Sequence, residues 1–175
     1  MRKIKDRILL GTVCGIASAT IGKYINAAEY KLGLTDVQYN QLAATLFMPK
    51  NKINTPKGKL LGGIINNINV GSVGVLISYI LSATGRDKAA LKGMGVTAIT
   101  WVMINGLLAK QVLGVKSKKP LTPFLSLFDH LFYGYLTATM ISKFGDDRLF
   151  PEPAKKSEKK LPLIALRPAV KNDKR

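Results

Sequence analysis

Four long apolar runs, separated by short basic blocks, constrain the fold of this chain more than any other feature of its sequence. The runs cover residues of about 8–28, 60–84, 93–112 and 121–142. An α-helix of about 20 residues crosses the roughly 30 Å hydrocarbon core of a bilayer. The sequence therefore predicts an all-α integral membrane protein, a bundle of four transmembrane helices forming one domain over residues 1–145.

The positive charges are segregated from the apolar runs. Among 175 residues there are 27 Lys and Arg against 10 Asp and Glu, a net charge of +17, although 47% of the residues are hydrophobic. With the N-terminus inside, the inner side holds 17 of the basic residues and the outer side 9, and Lys23 lies within the first run. This balance predicts that both termini are cytoplasmic. At its depth, the Lys23 ammonium is expected to extend to the far interface.

The first run has a second interpretation. Its basic start, its short apolar core and the Ala-Ser-Ala at residues 17–19 are also typical of a secretory signal peptide. Helical sequence continues past this tripeptide, which favours a retained span. Cleavage stays open as an alternative, and it would leave the rest of the topology unchanged.

The long first loop contains an amphipathic segment at about residues 35–48. Thr35, followed three residues later by Gln38, predicts a capping box. The apolar residues that follow predict a short helix lying on the membrane surface.

Residues 146–175 differ in composition from the rest of the chain. They are rich in Lys and Pro without a sustained period, which predicts a basic, mostly disordered cytoplasmic tail. The short apolar stretch at 161–166 adds anionic lipid or a protein partner as alternatives to a solvated tail. A nucleic-acid partner is not expected, because aromatic residues do not alternate with basic ones.

Polar side chains within the runs are the candidates for function, since the bilayer core offers no water to satisfy them. The candidate intramembrane polar site consists of Asp129, His130, Tyr133, Asn66, Asn67, Asn69 and Asn105. Adjacent helical residues point about 100° apart, so Asp129 and His130 do not form a direct relay. We predict that they form hydrogen bonds between helices, and a proton or substrate site is the alternative. One histidine and one aspartate are too few for a metal site, and no cofactor is expected.

Small residues at helical spacing predict close contacts between helices. The predicted packing residues are Gly11, Gly15, Gly74, Ser78, Gly134 and Ala138. Such stripes indicate packing and carry no information about chemistry.

The fourth run, "DHLFYGYLTATMI", resembles the H-L-x-Y-G pattern of small four-helix bacterial inner-membrane proteins of unknown function, of the YagU and YqhR kind. This resemblance implies a multi-pass protein of the bacterial cytoplasmic membrane. Catalytic motifs are absent, so the sequence favours a non-enzymatic scaffold or accessory subunit, with the bilayer and a second copy or another membrane protein as partners. The alternative is a small oligomeric transporter or channel that uses Asp129, His130 and the cluster Asn66–Asn69.

Overall fold

The computed structural model describes residues 3–49, 51–104 and 117–151. Within these ranges the chain is all-α, with five helices and one short 3-10 helix. The helices are α1 Arg7–Lys31, α2 Tyr39–Ala44, α3 Pro56–Thr84, α4 Ala89–Trp101 and α5 Thr122–Phe144, and the 3-10 helix is Asp147–Leu149.

The four predicted runs fall on α1, α3, α4 and α5. α1 has 25 residues and α3 has 29, and both are long and apolar enough to cross a membrane. α4 has 13 residues and continues as a π-helical turn over residues 102–104. The remainder of the third run, residues 105–112, lies outside the described residues. α5 has 23 residues and covers the fourth run.

Local signals set the starts of the two longest helices. The Asp6 carboxylate accepts a 2.6 Å hydrogen bond from the Leu9 amide and so caps α1. The Thr55 hydroxyl accepts a 3.2 Å bond from the Gly58 amide, and the next residue is Pro56. Each cap satisfies an amide that has no partner within its helix, and proline has the φ that a first turn needs.

Close backbone contacts join α1 to α3. A Cβ atom on Gly11 would lie 2.5 Å from Val75 Cα, and one on Gly15 would lie 2.5 Å from the Val70 carbonyl oxygen. Gly74 faces the backbone of Gly11 in the same way. Any larger residue at these positions would force the two helices apart.

α4 and α5 pack by the same means. A Cβ atom on Gly134 would lie 2.8 Å from the Gly93 carbonyl carbon, and one on Gly93 would lie 2.5 Å from the Ala138 Cβ. Thr97 is buried beside this crossing, and its hydroxyl bonds to the Gly93 carbonyl at 3.1 Å. Contacts between α1 and α5 join the two helix pairs into one bundle.

The half of the bundle nearest the two ends of the described chain, Ile4 and Gly145, is filled by apolar side chains. This core consists of Leu10, Cys14, Ile77, Leu81, Ala89, Ala138, Ile141, Leu149 and Phe150. Ile4 forms a parallel bridge with Gly145, so the two ends of the described chain meet. Asp147 accepts hydrogen bonds from Lys3 at 2.6 Å and from Arg86 at 2.8 Å. We call this the terminal half.

The packed part of the chain extends past residue 145, where the sequence places the start of the tail. Leu149 and Phe150 are 8% and 6% exposed, and the Arg86 guanidinium lies 4.9 Å from the centre of the Phe150 ring. The rest of the predicted tail, residues 152–175, lies outside the described residues.

The predicted amphipathic segment forms α2, which is shorter than expected and packs against α3. The capping-box prediction is wrong: α2 begins at Tyr39, and Gln38 makes no side-chain cap. Thr35 instead accepts a hydrogen bond from the Val37 amide at 3.2 Å and donates one to Thr122 at 3.3 Å. The bond to Thr122 directs the Thr35 hydroxyl toward α5 rather than toward the start of α2.

Candidate functional site

A cavity of about 450 Å³ lies in the half of the bundle farther from the termini. Its wall includes residues from 19–23 of α1, 65–73 of α3 and 129–133 of α5, together with parts of α2 and the end of α4. Ligand pockets typically enclose 300–1,000 Å³. The cavity therefore has the size of a small-molecule site.

Asp129 is the one carboxylate among the residues that line the cavity. Its Oδ2 accepts a 2.7 Å hydrogen bond from the Tyr39 hydroxyl. Asp129 is 4% exposed, and its Oδ1 has no hydrogen-bond partner among the described residues. Burial raises the pKa of the Tyr39 hydroxyl, and the Asp129 carboxylate raises it further. Tyr39 therefore keeps its proton and acts as the donor.

His130 also lines the cavity, and its tautomer follows from its contacts. Its Nδ1 lies 2.7 Å from the Ser126 carbonyl oxygen. Because a carbonyl oxygen can only accept, Nδ1 carries the proton, and Nε2 of the neutral ring is an acceptor. The Tyr39 ring packs edge-on against the His130 ring, with centroids 5.7 Å apart. Tyr39 thus contacts both Asp129 and His130.

Lys23 is the cation in the cavity wall. Its ammonium donates a 2.6 Å hydrogen bond to Asn67 Oδ1 on α3. The sequence predicted that this side chain reaches for the interface, whereas here it bonds across to the neighbouring helix. The bond to an amide leaves the Lys23 charge without a carboxylate partner within the part of the chain that the structure describes.

A second buried carboxyl lies near α2. Glu29 is 9% exposed, and within the described ranges its Oε2 lacks a hydrogen-bond partner. Asn26, one turn earlier, donates to the Val37 carbonyl at 3.2 Å and accepts from the Tyr39 amide at 3.4 Å. These bonds hold the start of α2 against α1 and so position the Tyr39 side chain.

A polar cluster joins the segment before α2 to the start of α5. Asp36 accepts hydrogen bonds from the Ser117 hydroxyl, from the Lys118 amide at 2.8 Å and from the Thr122 hydroxyl at 3.2 Å. Although burial raises the pKa of Asp36, these hydrogen bonds outweigh it and hold the pKa below its ordinary value. α2 is therefore anchored to two helices where it covers the cavity.

The last turn of α4 also contributes to the wall, through Thr100 and Ile104. Here the helix widens into the π-helical turn, a feature frequent at functional sites. Trp101 donates a 3.1 Å hydrogen bond to the Ser126 hydroxyl, which fixes this end of α4 against α5.

Five of the seven residues of the predicted polar site line the cavity: Asp129, His130, Tyr133, Asn66 and Asn69. Tyr133 donates a 2.6 Å hydrogen bond to the Val70 carbonyl. Asn67 is the partner of Lys23, and Asn105 lies outside the described residues.

The predicted packing residues lie between helices. Gly11, Gly15 and Gly74 lie at the contact of α1 with α3, and Gly134 and Ala138 lie at that of α4 with α5. Ser78 is fully buried on α3.

Sequence reasoning missed the roles of Tyr39 and Lys23. A tyrosine four residues after the predicted cap Thr35 gave no indication that it enters the bundle. For Lys23, the signal in the sequence was a single charge within an apolar run. Its partner, Asn67, lies on another helix, so residue spacing could not identify it.

Within the described residues, no group of three or more His, Cys, Asp or Glu is placed to hold a metal ion. The wall combines apolar side chains with a few hydrogen-bonding groups, the composition of a pocket for an organic molecule.

No family model, no curated protein and no solved structure matches this chain. The resemblance to the YagU and YqhR kind of protein stays a prediction.

Proposed function

We propose that this chain is a four-span protein of the cytoplasmic membrane with both termini in the cytoplasm. The apolar residues on the outside of the bundle support this. Side chains more than 60% exposed that do not line the cavity include Leu60, Leu91, Ile99, Phe124 and Phe128. The meeting of Ile4 with Gly145 at one end of the bundle agrees with an even number of crossings.

We further propose that the protein binds a small organic molecule in the cavity. The observation that carries this proposal is the asymmetry of the bundle: the terminal half holds the apolar core, and the other half holds a partly open cavity of about 450 Å³ beside a buried Asp129. In the proposed topology the cavity lies on the extracytoplasmic side, beneath α2. Of the two classes that the sequence suggested, this favours the transporter class, with binding from outside as the first step.

Passage to the cytoplasm would need a second arrangement of the bundle. The core around Leu81 and Ile141 closes the cytoplasmic side, and both residues are 0% exposed. Alternating access requires such a closed side opposite an accessible site.

A scaffold or accessory subunit is the second candidate. Gly95 on α4 lies on the outside, and a Cβ atom there would meet nothing within 4 Å. Outward glycines allow another helix to approach closely. If a partner uses this face, Gly95→Leu should remove a co-purifying membrane protein without lowering the abundance of the chain.

Two glycine variants test the binding proposal. Gly22 lines the cavity and Gly63 does not, and a Cβ atom on either meets nothing within 4 Å. Gly22→Leu therefore fills the cavity, and Gly63→Leu is the matched control. The assay is thermal unfolding in detergent with benzylamine, benzyl alcohol or benzoate, since a bound ligand raises the unfolding temperature.

At least one probe should stabilise the wild type and Gly63→Leu, and Gly22→Leu should lose that stabilisation. Equal stabilisation of all three proteins would mean that the probe binds elsewhere. Stabilisation by none of the probes would also refute the proposal.

A further inference from the structure

We propose that the ligand of this cavity is an organic amine, bound as its ammonium ion to Asp129. This inference rests on the proposed binding function and specifies its ligand class. It is argued from the hydrogen-bonding groups of the cavity, from the charges around it and from its apolar wall.

The cavity wall presents acceptors that lack donors. Asp129 Oδ1 has no partner within the described residues, although the side chain is 96% buried. His130 uses Nδ1 as a donor to Ser126, which leaves Nε2 as an acceptor. A buried carboxylate oxygen without a donor is costly. A ligand that brings N–H donors would satisfy it.

The charges around the cavity also favour a cation. The ion pairs among the described residues involve Asp87, Asp146 and Asp147, and neither Asp129 nor Glu29 takes part in one. A chain with a net charge of +17 thus leaves its two buried carboxyl groups near α2 without a cationic partner in the described ranges. Breaking or omitting one side of a buried ion pair leaves an uncompensated charge.

Lys23 is the competing charge at the wall. Its ammonium is bonded to Asn67 at 2.6 Å, so it already has an acceptor. An anionic ligand would have to take Lys23 from Asn67 and would also lie beside Asp129. An ammonium ion bound at Asp129 Oδ1 would leave the bond between Lys23 and Asn67 intact and would lie beside an opposite charge. For these two reasons we assign a cationic ligand.

The rest of the wall indicates an organic ligand rather than a metal ion. Most of the lining is apolar, including Leu42, Leu46, Ile65, Ile68 and Val73. Inorganic cations such as Ca²⁺ need six or more oxygen ligands, whereas the wall supplies one carboxylate and scattered amides. A ligand with an apolar body and one ammonium group would match both the apolar lining of the cavity and the Asp129 carboxylate.

The test compares three probes of similar shape on the full-length protein in detergent. Benzylamine, benzyl alcohol and benzoate differ in the head group, which is cationic, neutral or anionic. Isothermal titration should show the tightest binding for benzylamine. Asp129→Asn should weaken benzylamine at least about tenfold, the effect of losing one charge-assisted hydrogen bond. Asp147→Asn, a carboxylate at the other end of the bundle, is the control and should leave the affinity unchanged.

Each remaining outcome decides against the amine. Benzyl alcohol bound as tightly as benzylamine, or benzylamine affinity unchanged in Asp129→Asn, would overturn the assignment while leaving the binding function intact. Benzoate bound most tightly, and lost in Lys23→Met, would assign an anion instead. Should Asp129→Asn fail to fold, the preference of the wild type for benzylamine over benzyl alcohol still tests the ammonium, and Gly22→Leu, which keeps the carboxylate, must abolish benzylamine binding if the amine lies in this cavity. If no probe binds, the binding function itself fails.

Discussion

Replacing Tyr39 by Phe isolates the one hydrogen bond that connects α2 to the buried carboxylate. The hydroxyl donates to Asp129 Oδ2 at 2.7 Å, and Asp129 is 4% exposed. Hydrogen bonds to charged groups contribute about 1.5–3 kcal/mol in soluble proteins, whereas interhelical bonds in a membrane average about 0.6 and reach about 1.7. The membrane average is low because the same groups also find partners in the unfolded state within the membrane.

Asp129 has no second donor among the described residues, so the loss should lie near the upper membrane value. We expect Tyr39→Phe to lower the free energy of unfolding by about 1.5 kcal/mol. Reversible unfolding in mixed detergent micelles measures it. Tyr24→Phe is the matched control, because Tyr24 is 75% exposed and should change little.

A double-mutant cycle shows whether the effect depends on the carboxylate. In an Asp129→Asn background, Tyr39→Phe should cost about 0.6 kcal/mol, which gives a coupling of about 1 kcal/mol. Additive effects of the two substitutions would refute the reasoning. So would an effect of Tyr39→Phe no larger than that of Tyr24→Phe.

Three further predictions concern packing, topology and pH. Gly134→Ala should lower the free energy of unfolding by about 1–3 kcal/mol, because the new Cβ meets the Gly93 backbone. Gly95→Ala should raise it by up to about 1 kcal/mol, since its Cβ meets open space and alanine favours the helix. Unfolding of both variants in detergent measures the two effects. In a Cys14→Ser background, a membrane-impermeant thiol reagent added to intact cells should label Asn51→Cys and not Ser157→Cys, and the reverse pattern would invert the topology. Hydrogen bonds from Lys3 and Arg86 lower the pKa of Asp147 in the folded protein. The stability that these bonds contribute is present above the unfolded pKa of about 4 and is lost as the pH falls through the lower folded value. Melting temperatures measured against pH should show that the wild type is more stable than Asp147→Asn above about pH 4 and loses that difference below it.

The helices of this protein could be predicted because their signals are local. The lengths of the apolar runs predict α1 and α3. The spacing of Gly11 and Gly15 predicts a contact face on α1 without any knowledge of the partner helix. Small residues permit close backbone approach, so the contact positions Gly11 and Gly15 could be predicted even though the partner helix could not.

The cavity could not be predicted, because it depends on contacts between segments that are distant in the sequence. The sequence predicts that Asp129 bonds to another helix, but its donor lies 90 residues away in a six-residue helix. A helix that short has too few turns to reveal its buried face by periodicity. Thr35 satisfied the local capping pattern and yet bonds to Thr122, because the packing of the loop against α5 outweighed a cap of about 1 kcal/mol.

The length of α3 has a consequence for the kind of membrane this bundle suits. Its apolar part, from residue 60 to the end of the helix at Thr84, is about 37 Å long, whereas a typical hydrocarbon core is about 30 Å thick. In the proposed topology the helix would therefore tilt by roughly 35°, near the upper end of the usual range, or thicken the lipid around it. Because α3 is held against α1 at Gly74 and also supplies Asn66 and Val73 to the cavity wall, a change of tilt would alter the shape of the cavity. Ligand affinity should therefore vary with the acyl-chain length of the surrounding lipids.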